Sequence, residues 1–331
     1  MLPRKCTSCA SISCPAAAFL LEYPGVKQTE IVAVGGGPAG LTAGIYAARS
    51  GHKVVVLEKG IPGGQMAMTS EVENYPGFSE PVKGMLLAQT MEQQATRFGC
   101  ELITAEATGI SVSPRGFHVL TTSEEVVAAT VIVCTGVMPK RLGAPGEKEL
   151  VGRGVSYCAV CDGPLFRGKE VAVVGGGDSA LDEALYLSNL AARVHVVHRR
   201  DEFRACKFAQ QRLRERSNVD YHLSSVVQSF DGAQRLAGLT LKSLKDDSNY
   251  SIPVAGAFVY VGWLPNTNWC SNLVELDSSG NVRTDDRLRT SFPGAFAAGD
   301  VRSTHLRQVA TAVGDGALAA MSAHDFLSGK R

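Results

Sequence analysis

Two short runs of consecutive apolar residues, Ile31-Val32-Ala33-Val34 and Val171-Ala172-Val173-Val174, carry the strongest pattern in the chain. Neither run alternates with polar positions, which predicts strands buried on both faces of a sheet. Each is followed by a glycine cluster, a helical pattern and a second apolar strand. In the first case these are Gly35-Gly36-Gly37-Pro38-Ala39-Gly40, Leu41 to Ser50 and Lys53 to Leu57; in the second they are Gly175-Gly176-Gly177-Asp178-Ser179-Ala180, Leu181 to Asn189 and Val194 to Val197. At one constant offset Gly35 meets Gly175, Gly40 meets Ala180 and Glu58 meets His198, with no gap. The chain therefore repeats a βαβ nucleotide-binding unit, and its fold class is α/β with two Rossmann-like domains.

Between the two units the pattern predicts an amphipathic helix from Pro81 to Phe98 and strands at Glu101 to Ile110, Gly116 to Thr121 and Thr130 to Cys134, the last running into Thr135-Gly136. Two stretches, Ile61-Pro62-Gly63-Gly64-Gln65 and Glu73-Asn74-Tyr75-Pro76-Gly77-Phe78, read as loops. Gly143-Ala144-Pro145-Gly146-Glu147 reads as a linker at a domain boundary, and Gly262 to Thr267 as the return linker. Beyond the second unit come strands at Val219 to Val226, Leu236 to Leu244 and Gly256 to Val261. The apolar run Ala295 to Ala298 then leads into Gly299-Asp300, and a small-residue helix spans Arg307 to Leu327. Asp300 falls at the carboxyl end of a strand, where an α/β sheet presents polar groups to a ligand.

The glycine spacing carries chemistry. Gly35 permits the tight turn, Gly37 lets backbone approach a pyrophosphate, Gly40 lets helix and strand pack closely, and the helix amino end faces the phosphates. The two units differ where their second strands end. Glu58 is placed to bind a free ribose hydroxyl and would repel a 2′-phosphate, whereas His198-Arg199-Arg200, with Arg204 after them, offers guanidiniums that suit one. The second nucleotide is therefore expected to be NADPH.

Tyr157-Cys158-Ala159-Val160-Cys161-Asp162-Gly163 stands just ahead of the second unit. Two thiols at this spacing can close a small disulfide ring and exchange two electrons, and the adjacent carboxylate can shuttle a proton. The motif alone also reads as half of a zinc site or as a structural pair. A zinc site needs a second ligand pair, and His195 and His198 belong to the strand pattern of the second nucleotide unit, so no metal is expected.

Composition narrows the classes. With 331 residues, 45% hydrophobic and 20% charged, the chain is globular and long enough for two domains. A net charge of +1 without a long basic run argues against a nucleic-acid or anionic-membrane surface, and no apolar stretch is long enough to span a bilayer. Nine cysteines in a chain of this length are too sparse for a secreted disulfide scaffold, so a reducing compartment, the cytoplasm, is expected. Residues 1–28 read as an extension in which Arg4 and Lys5 precede a short apolar run in the manner of a targeting peptide. Its Cys6 and Cys9 could form a second pair.

Two nucleotide units of opposite electrostatic type with a CxxC between them resemble the low-molecular-weight thioredoxin reductases, from about Glu30 to Leu327. The matching motifs include Gly63-Gly64-Gln65, Glu73 to Gly77, Cys158 to Asp162, Pro265-Asn266-Thr267 and Ala298-Gly299-Asp300-Val301 with Arg307-Gln308. Val160 stands where the family often has threonine. The resemblance implies a discontinuous FAD domain (29–142 and 268–331) with the NADPH domain and dithiol (143–267) inserted. It also implies an FAD site drawn from Gly35, Gly37, Pro38, Ala39, Gly40, Glu58, Gly64, Gln65, Asn74, Gly136, Gly299, Asp300, Arg307 and Gln308. The implied NADPH site comprises Gly175, Gly177, Asp178, Ser179, Ala180, His198, Arg199, Arg200 and Arg204. By the same resemblance Cys161 faces the flavin, Cys158 attacks a thioredoxin or thioredoxin-like partner, Asp162 handles the proton, the domains rotate about their two linkers, and the chain is a homodimer. The rivals are a flavin-dependent dithiol oxidase, a ferredoxin-fed reductase of the same fold and a nucleotide sensor. The basic segment argues against the first two and the CxxC with Asp162 against the third.

Overall fold

The computed structural model describes residues 26–69 and 71–330. Cys6, Cys9, Cys14 and the targeting-peptide reading lie outside the described residues. The chain forms two compact units: the first ends its opening part at Val137 and resumes at Pro265, and the second is Met138–Leu264.

In the first unit the elements are β1 (Lys27–Val34), α1 (Pro38–Arg49), β2 (Val54–Glu58), α2 (Gly64–Ala67), α3 (Gly84–Arg97), β3 (Glu101–Thr104), β4 (Ala107–Ser113), β5 (Gly116–Thr121) and β6 (Val126–Val133). A short β7 (Val137–Pro139) leads out of it. The second unit contains α4 (Glu147–Leu150), β8 (Val155–Ser156), α5 (Ala159–Asp162), β9 (Glu170–Gly175), α6 (Asp178–Ser188), β10 (Arg193–Val197), α7 (Lys207–Arg214), β11 (Val219–His222), β12 (Ser225–Asp231), β13 (Gly238–Ser243), β14 (Asn249–Pro253) and β15 (Gly256–Tyr260). After it come β16 (Trp263–Pro265), which pairs with β7, then β17 (Ala295–Ala297) and α8 (Val309–Leu327).

Both central sheets have parallel cores. The first runs β3-β2-β1-β6, with β17 also parallel on β6 and β5-β4 continuing antiparallel; the second runs β11-β10-β9-β15-β8. The unbroken apolar runs follow from two-sided burial. Ile31 and Ala33 of β1 pack with Leu41 of α1, Leu87 of α3 and Ala319 of α8, while Val32 and Val34 face Phe117, Val119 and Trp269. In the second unit Val171 and Val173 meet Leu181 and Leu185 of α6, while Ala172 and Val174 meet Leu239 and Leu241 of the β12-β13-β14 sheet.

Close backbone approach sets the position of α1. A Cβ on Gly40 would collide with the carbonyl oxygen of Gly35, and one on Gly316 of α8 with that of Ala39. Gly40→Ala is therefore expected to destabilise the protein by about 3 kcal/mol, read as a lower urea midpoint, because the obstructing Gly35 carbonyl is backbone and cannot rotate away.

The structure alters several sequence expectations. β1 begins at Lys27, inside the segment read as extension, because Lys27, Gln28 and Thr29 pair through their backbone with Val126, Val127 and Ala128. The stretch Glu101 to Ile110 is divided between β3 and β4. Gly143 to Glu147 is no free linker but part of the second unit: the buried Glu147 carboxylate accepts from the amides of Leu142 (2.9 Å) and Gly143 (2.6 Å) and from the Tyr157 hydroxyl (2.8 Å). The chain crosses between units at β7, ahead of that stretch, and at β16, inside the expected return linker Gly262 to Thr267. Glu147→Leu would leave these three donors without their acceptor and is expected to cost about 3 kcal/mol in urea unfolding, against about 1 kcal/mol for Tyr157→Phe.

Candidate active site

Cys158 and Cys161 are joined in a disulfide with their Cα atoms 5.4 Å apart. The ring is held from three sides within the second unit. Cys158 caps the short α5, its sulfur accepting from the Cys161 amide at 3.2 Å. On the strand side, the buried Ser156 hydroxyl accepts from the Cys158 amide at 3.1 Å. Behind the ring, the Tyr260 hydroxyl accepts from the Ala159 amide at 2.9 Å. Gly163 lies so close to α6 that a Cβ there would stand 3.0 Å from Leu187 and 3.2 Å from Tyr186. Cys161 is exposed and Asp162 half-buried.

Tyr260 connects this dithiol to the second glycine loop. It lies opposite Gly175 in the β15-β9 register, and a Cβ on Gly175 would run into its carbonyl oxygen. α6 starts at Asp178 with Gly177 as a cap that provides no side-chain bond, leaving its first amides for a ligand. The segment after β10 crosses over this loop: the Arg204 and Ala205 amides donate to Gly176 O (2.8 and 3.2 Å), and Asp178 Oδ1 accepts from the Cys206 amide (2.7 Å). Arg199, Arg200, Arg204, Asp178 and Ser179 are exposed, and the Arg204 guanidinium lies 3.9 Å from where a Cβ on Gly177 would be. His198 is placed differently from its basic neighbours. Its ring is 6% exposed, packs over Gly176, stacks on Phe203 at 5.5 Å and bonds the Glu202 carbonyl through Nε2 at 3.1 Å. Burial lowers its pKa, with the neighbouring arginines adding to the effect. It supports the loop as a neutral ring, and the positive charge there comes from the arginines.

In the first unit the expected residues gather at the amino end of α1. Pro38 is its first residue, and its Gly37 cap has open space where a Cβ would be and no side-chain bond. Glu58 accepts from Gly36 N at 2.7 Å and Gly60 N at 3.0 Å, bringing the carboxylate to the loop and leaving it further lone pairs. Gly63 N donates to Gly36 O at 2.7 Å, setting Gly64 beside Gly37, and Gln65 Nε2 donates to Val137 O at 3.3 Å. A Cβ on Gly299 would lie 2.9 Å from Ala39. Asp300 follows it, with a carboxyl pushed up to about 6 mainly by burial. Arg307 Nε donates to the Asp300 carbonyl at 3.3 Å, and Asn74 Nδ2 donates to Gln308 Oε1 at 3.0 Å. Gly136 has φ +60° and open space around its Cβ position. Beside it, Asn266 donates through Nδ2 to Thr135 O at 2.9 Å, while its buried Oδ1 has no hydrogen-bond partner. Open glycines, uncapped amides and an orphaned acceptor at one place suit a dinucleotide.

Sequence reasoning did not single out several supports. Asp315 of α8 holds the Arg302 guanidinium through both oxygens (2.6 and 2.9 Å) and accepts from Gly299 N (3.0 Å). Glu147, Tyr260 and Glu183 of α6 carry no local signal either: charged neighbours, Lys148 and Asp182, stand beside the two carboxylates, and Tyr260 ends an apolar strand. Among the free cysteines, burial pushes Cys100 and Cys270 up to about 12 and Cys134 higher still, so all three are inert; Cys206 is exposed. Among the described residues no His, Cys, Asp and Glu cluster could hold a metal, and no helix is long and apolar enough to cross a membrane.

A family model for pyridine nucleotide-disulphide oxidoreductases matches residues 29–316. The thioredoxin reductase of Listeria monocytogenes is 43% identical over 303 residues, 91% of this chain and 94% of its own. That of Bacillus subtilis is 41% identical over 302 residues, 91% of this chain and 95% of its own. Among solved structures, the Lactococcus lactis thioredoxin reductase matches with a TM-score of 0.89 and 41% identity, covering 91% of this chain and 99% of its own. The T. acidophilum thioredoxin reductase matches with a TM-score of 0.87 and 36% identity, covering 90% and 98%. The chain belongs to the pyridine nucleotide-disulphide oxidoreductase family, and within it to the low-molecular-weight thioredoxin reductases. Its chemistry is that of an oxidoreductase with a redox-active disulfide, Cys158–Cys161.

Proposed function

We propose that this protein carries electrons from NADPH through FAD and the Cys158–Cys161 dithiol to the disulfide of a thioredoxin in the cytoplasm. The observation that supports it most is the position of Tyr260, which ties the dithiol to the same glycine loop that the exposed arginines flank. Bound FAD supplies the two-electron carrier between nucleotide and dithiol.

The residues of the chain do the rest. The α1 amides after Gly37 hold the FAD pyrophosphate, Glu58 a ribose hydroxyl, and Gly64, Gln65, Asn74, Gly136, Asp300, Arg307 and Gln308 line the same site. The α6 amides after Gly177, with Asp178, Ser179 and Ala180, hold the NADPH pyrophosphate, and Arg199, Arg200 and Arg204 its 2′-phosphate. In the reduced pair Cys158 is the attacking sulfur, because the Cys161 amide that points at it stabilises a thiolate there. Cys161 closes the ring again and Asp162 passes the proton. β7 and β16 are the hinge about which the units rotate between the two electron transfers.

The test supplies NADPH and oxidised thioredoxin. Two thioredoxin thiols appearing per NADPH consumed supports the assignment, whereas NADPH consumption that yields peroxide and no thioredoxin thiol overturns it in favour of an oxidase. The active form is proposed to be a homodimer. A sedimenting species of twice the chain mass supports this, and one of the chain mass overturns it.

A further inference from the structure

Glu183 has no part in the functional reading above, and its surroundings differ from those of Glu147 in the same unit. Glu147 is satisfied by three donors and is structural. Glu183 Oε2, on α6, is buried with no hydrogen-bond partner. A carboxylate held this way is costly in its charged form unless it takes a proton. Burial, with the charge of Asp182 beside it, accordingly pushes its carboxyl up to about 7.

Glu183 also lies on the helix that packs against the dithiol segment. α6 packs on α5 and on Gly163 just after it, and on β15, whose Tyr260 hydroxyl accepts from the Ala159 amide. The Tyr260 hydroxyl is raised by burial first, and then by the charges of Glu183 and Asp162, which puts both carboxyls within electrostatic reach of one phenol. The other elements packed on α6 differ in what they bring to it. The β9 and β10 positions that meet it, Val171, Val173, Val194 and Val196, are apolar; α7 packs Ala209 and Leu213 into the same core and carries Lys207, Arg212 and Arg214 along its length.

We propose that Glu183 is the proton store of the dithiol, taking up a proton when the Cys158–Cys161 bond is reduced and releasing it when the bond reforms. Its coupling to the Ala159–Asp162 turn is electrostatic, through the Tyr260 phenol that accepts from the Ala159 amide. The proposal rests on the redox role assigned to the dithiol. In reduction by a small dithiol, the reductant loses two electrons and two protons as its own disulfide forms. The Cys158–Cys161 bond breaks and accepts both electrons; one proton goes to a sulfur, the other to Glu183, and the second sulfur remains a thiolate. That thiolate then attacks a partner disulfide, the remaining thiol closes the ring, and its proton and that of Glu183 end on the two partner sulfurs. A negative charge created by reduction is thus offset by the neutralisation of another.

The test equilibrates the flavin-loaded protein with reduced and oxidised dithiothreitol from pH 6 to 8.5. Alkylation and mass spectrometry of the peptide containing Cys158 and Cys161 give the equilibrium constant for reduction. By proton linkage, an uptake of one proton by Glu183 changes the ratio of the Glu183→Gln constant to that of the unaltered protein by up to tenfold per pH unit. The ratio is expected to grow at least threefold between pH 7 and 8; a ratio constant across the range overturns the proposal. The unaltered protein gives a second reading that does not depend on the variant folding: infrared difference spectra at pH 7.5 should gain a protonated-carboxyl band on reduction. No such band, or one that survives in Glu183→Gln and vanishes in Asp162→Asn, also overturns it. Neither measurement uses NADPH or thioredoxin, so their failure is distinguishable from failure of the thioredoxin assay.

Discussion

Cys161→Ser is expected to lower thioredoxin reduction by about 10³-fold or more while leaving reduction of the bound flavin by NADPH in place. The single substitution removes one of the two sulfurs that must close the ring, so no turnover can complete. It also leaves Cys158 with the amide of residue 161 directed at its sulfur, since serine keeps that backbone donor. A thiolate favoured in this way attacks the partner and cannot be resolved. Cys161→Ser should therefore accumulate a mixed disulfide with thioredoxin, detectable as a covalent adduct on a non-reducing gel. Cys158→Ser should lose activity equally and accumulate little adduct. Adduct formation in the reverse pattern would exchange the roles of the two sulfurs.

The second large effect concerns the nucleotide. Arg199→Ala combined with Arg200→Ala is expected to raise the KM for NADPH by about 10² to 10³, with the KM for NADH nearly unchanged. Each charge-assisted bond to a phosphate is worth about 1.5–3 kcal/mol and each 1.4 kcal/mol is a factor of ten. Both guanidiniums are exposed, so part of the effect is screened by salt, and the wild-type preference should shrink at high ionic strength. His198→Asn should matter less to this preference, because its buried ring supports Gly176 and the neutral form prevails. A KM for NADH that rose in step with that for NADPH would show that the arginines serve the loop and not the 2′-phosphate.

What could be read from the sequence was what local physics determines. The cores of β1 and β9, Ile31 to Val34 and Val171 to Val174, are legible because two-sided burial makes each of those positions apolar, and the glycine loops because tight turns and close approach exclude side chains. The CxxC is legible because its geometry is contained in four residues. The start of β1 at Lys27 is hidden because Lys27, Gln28 and Thr29 are polar and join the sheet through backbone pairing that leaves no apolar pattern. β14, Asn249-Tyr250-Ser251-Ile252-Pro253, was missed because a single buried residue, Ile252, gives no period. Gly143 to Glu147 was read as a linker because its composition is that of a loop. What holds it in the second unit is the Glu147 carboxylate, whose partner Tyr157 lies ten residues on, and the Phe230 amide on the Pro145 carbonyl, neither of which anything local announces. Tyr260 likewise reaches Ala159 across about a hundred residues, so its part in holding the dithiol emerges only when β15 is seen beside β9.

The measurement that bears most directly on the account is anaerobic titration of the purified protein with NADPH and, separately, NADH, following the flavin absorbance, with oxidised thioredoxin added at the end. Rapid bleaching by NADPH in strong preference to NADH, reversed by thioredoxin, is the predicted result, since it requires the arginine-flanked loop, the flavin site and the dithiol to work in series. Failure of NADPH to bleach the flavin would contradict the account. It would mean that the second glycine loop does not serve a nucleotide donor, and electrons would have to enter from a ferredoxin or leave the dithiol toward oxygen.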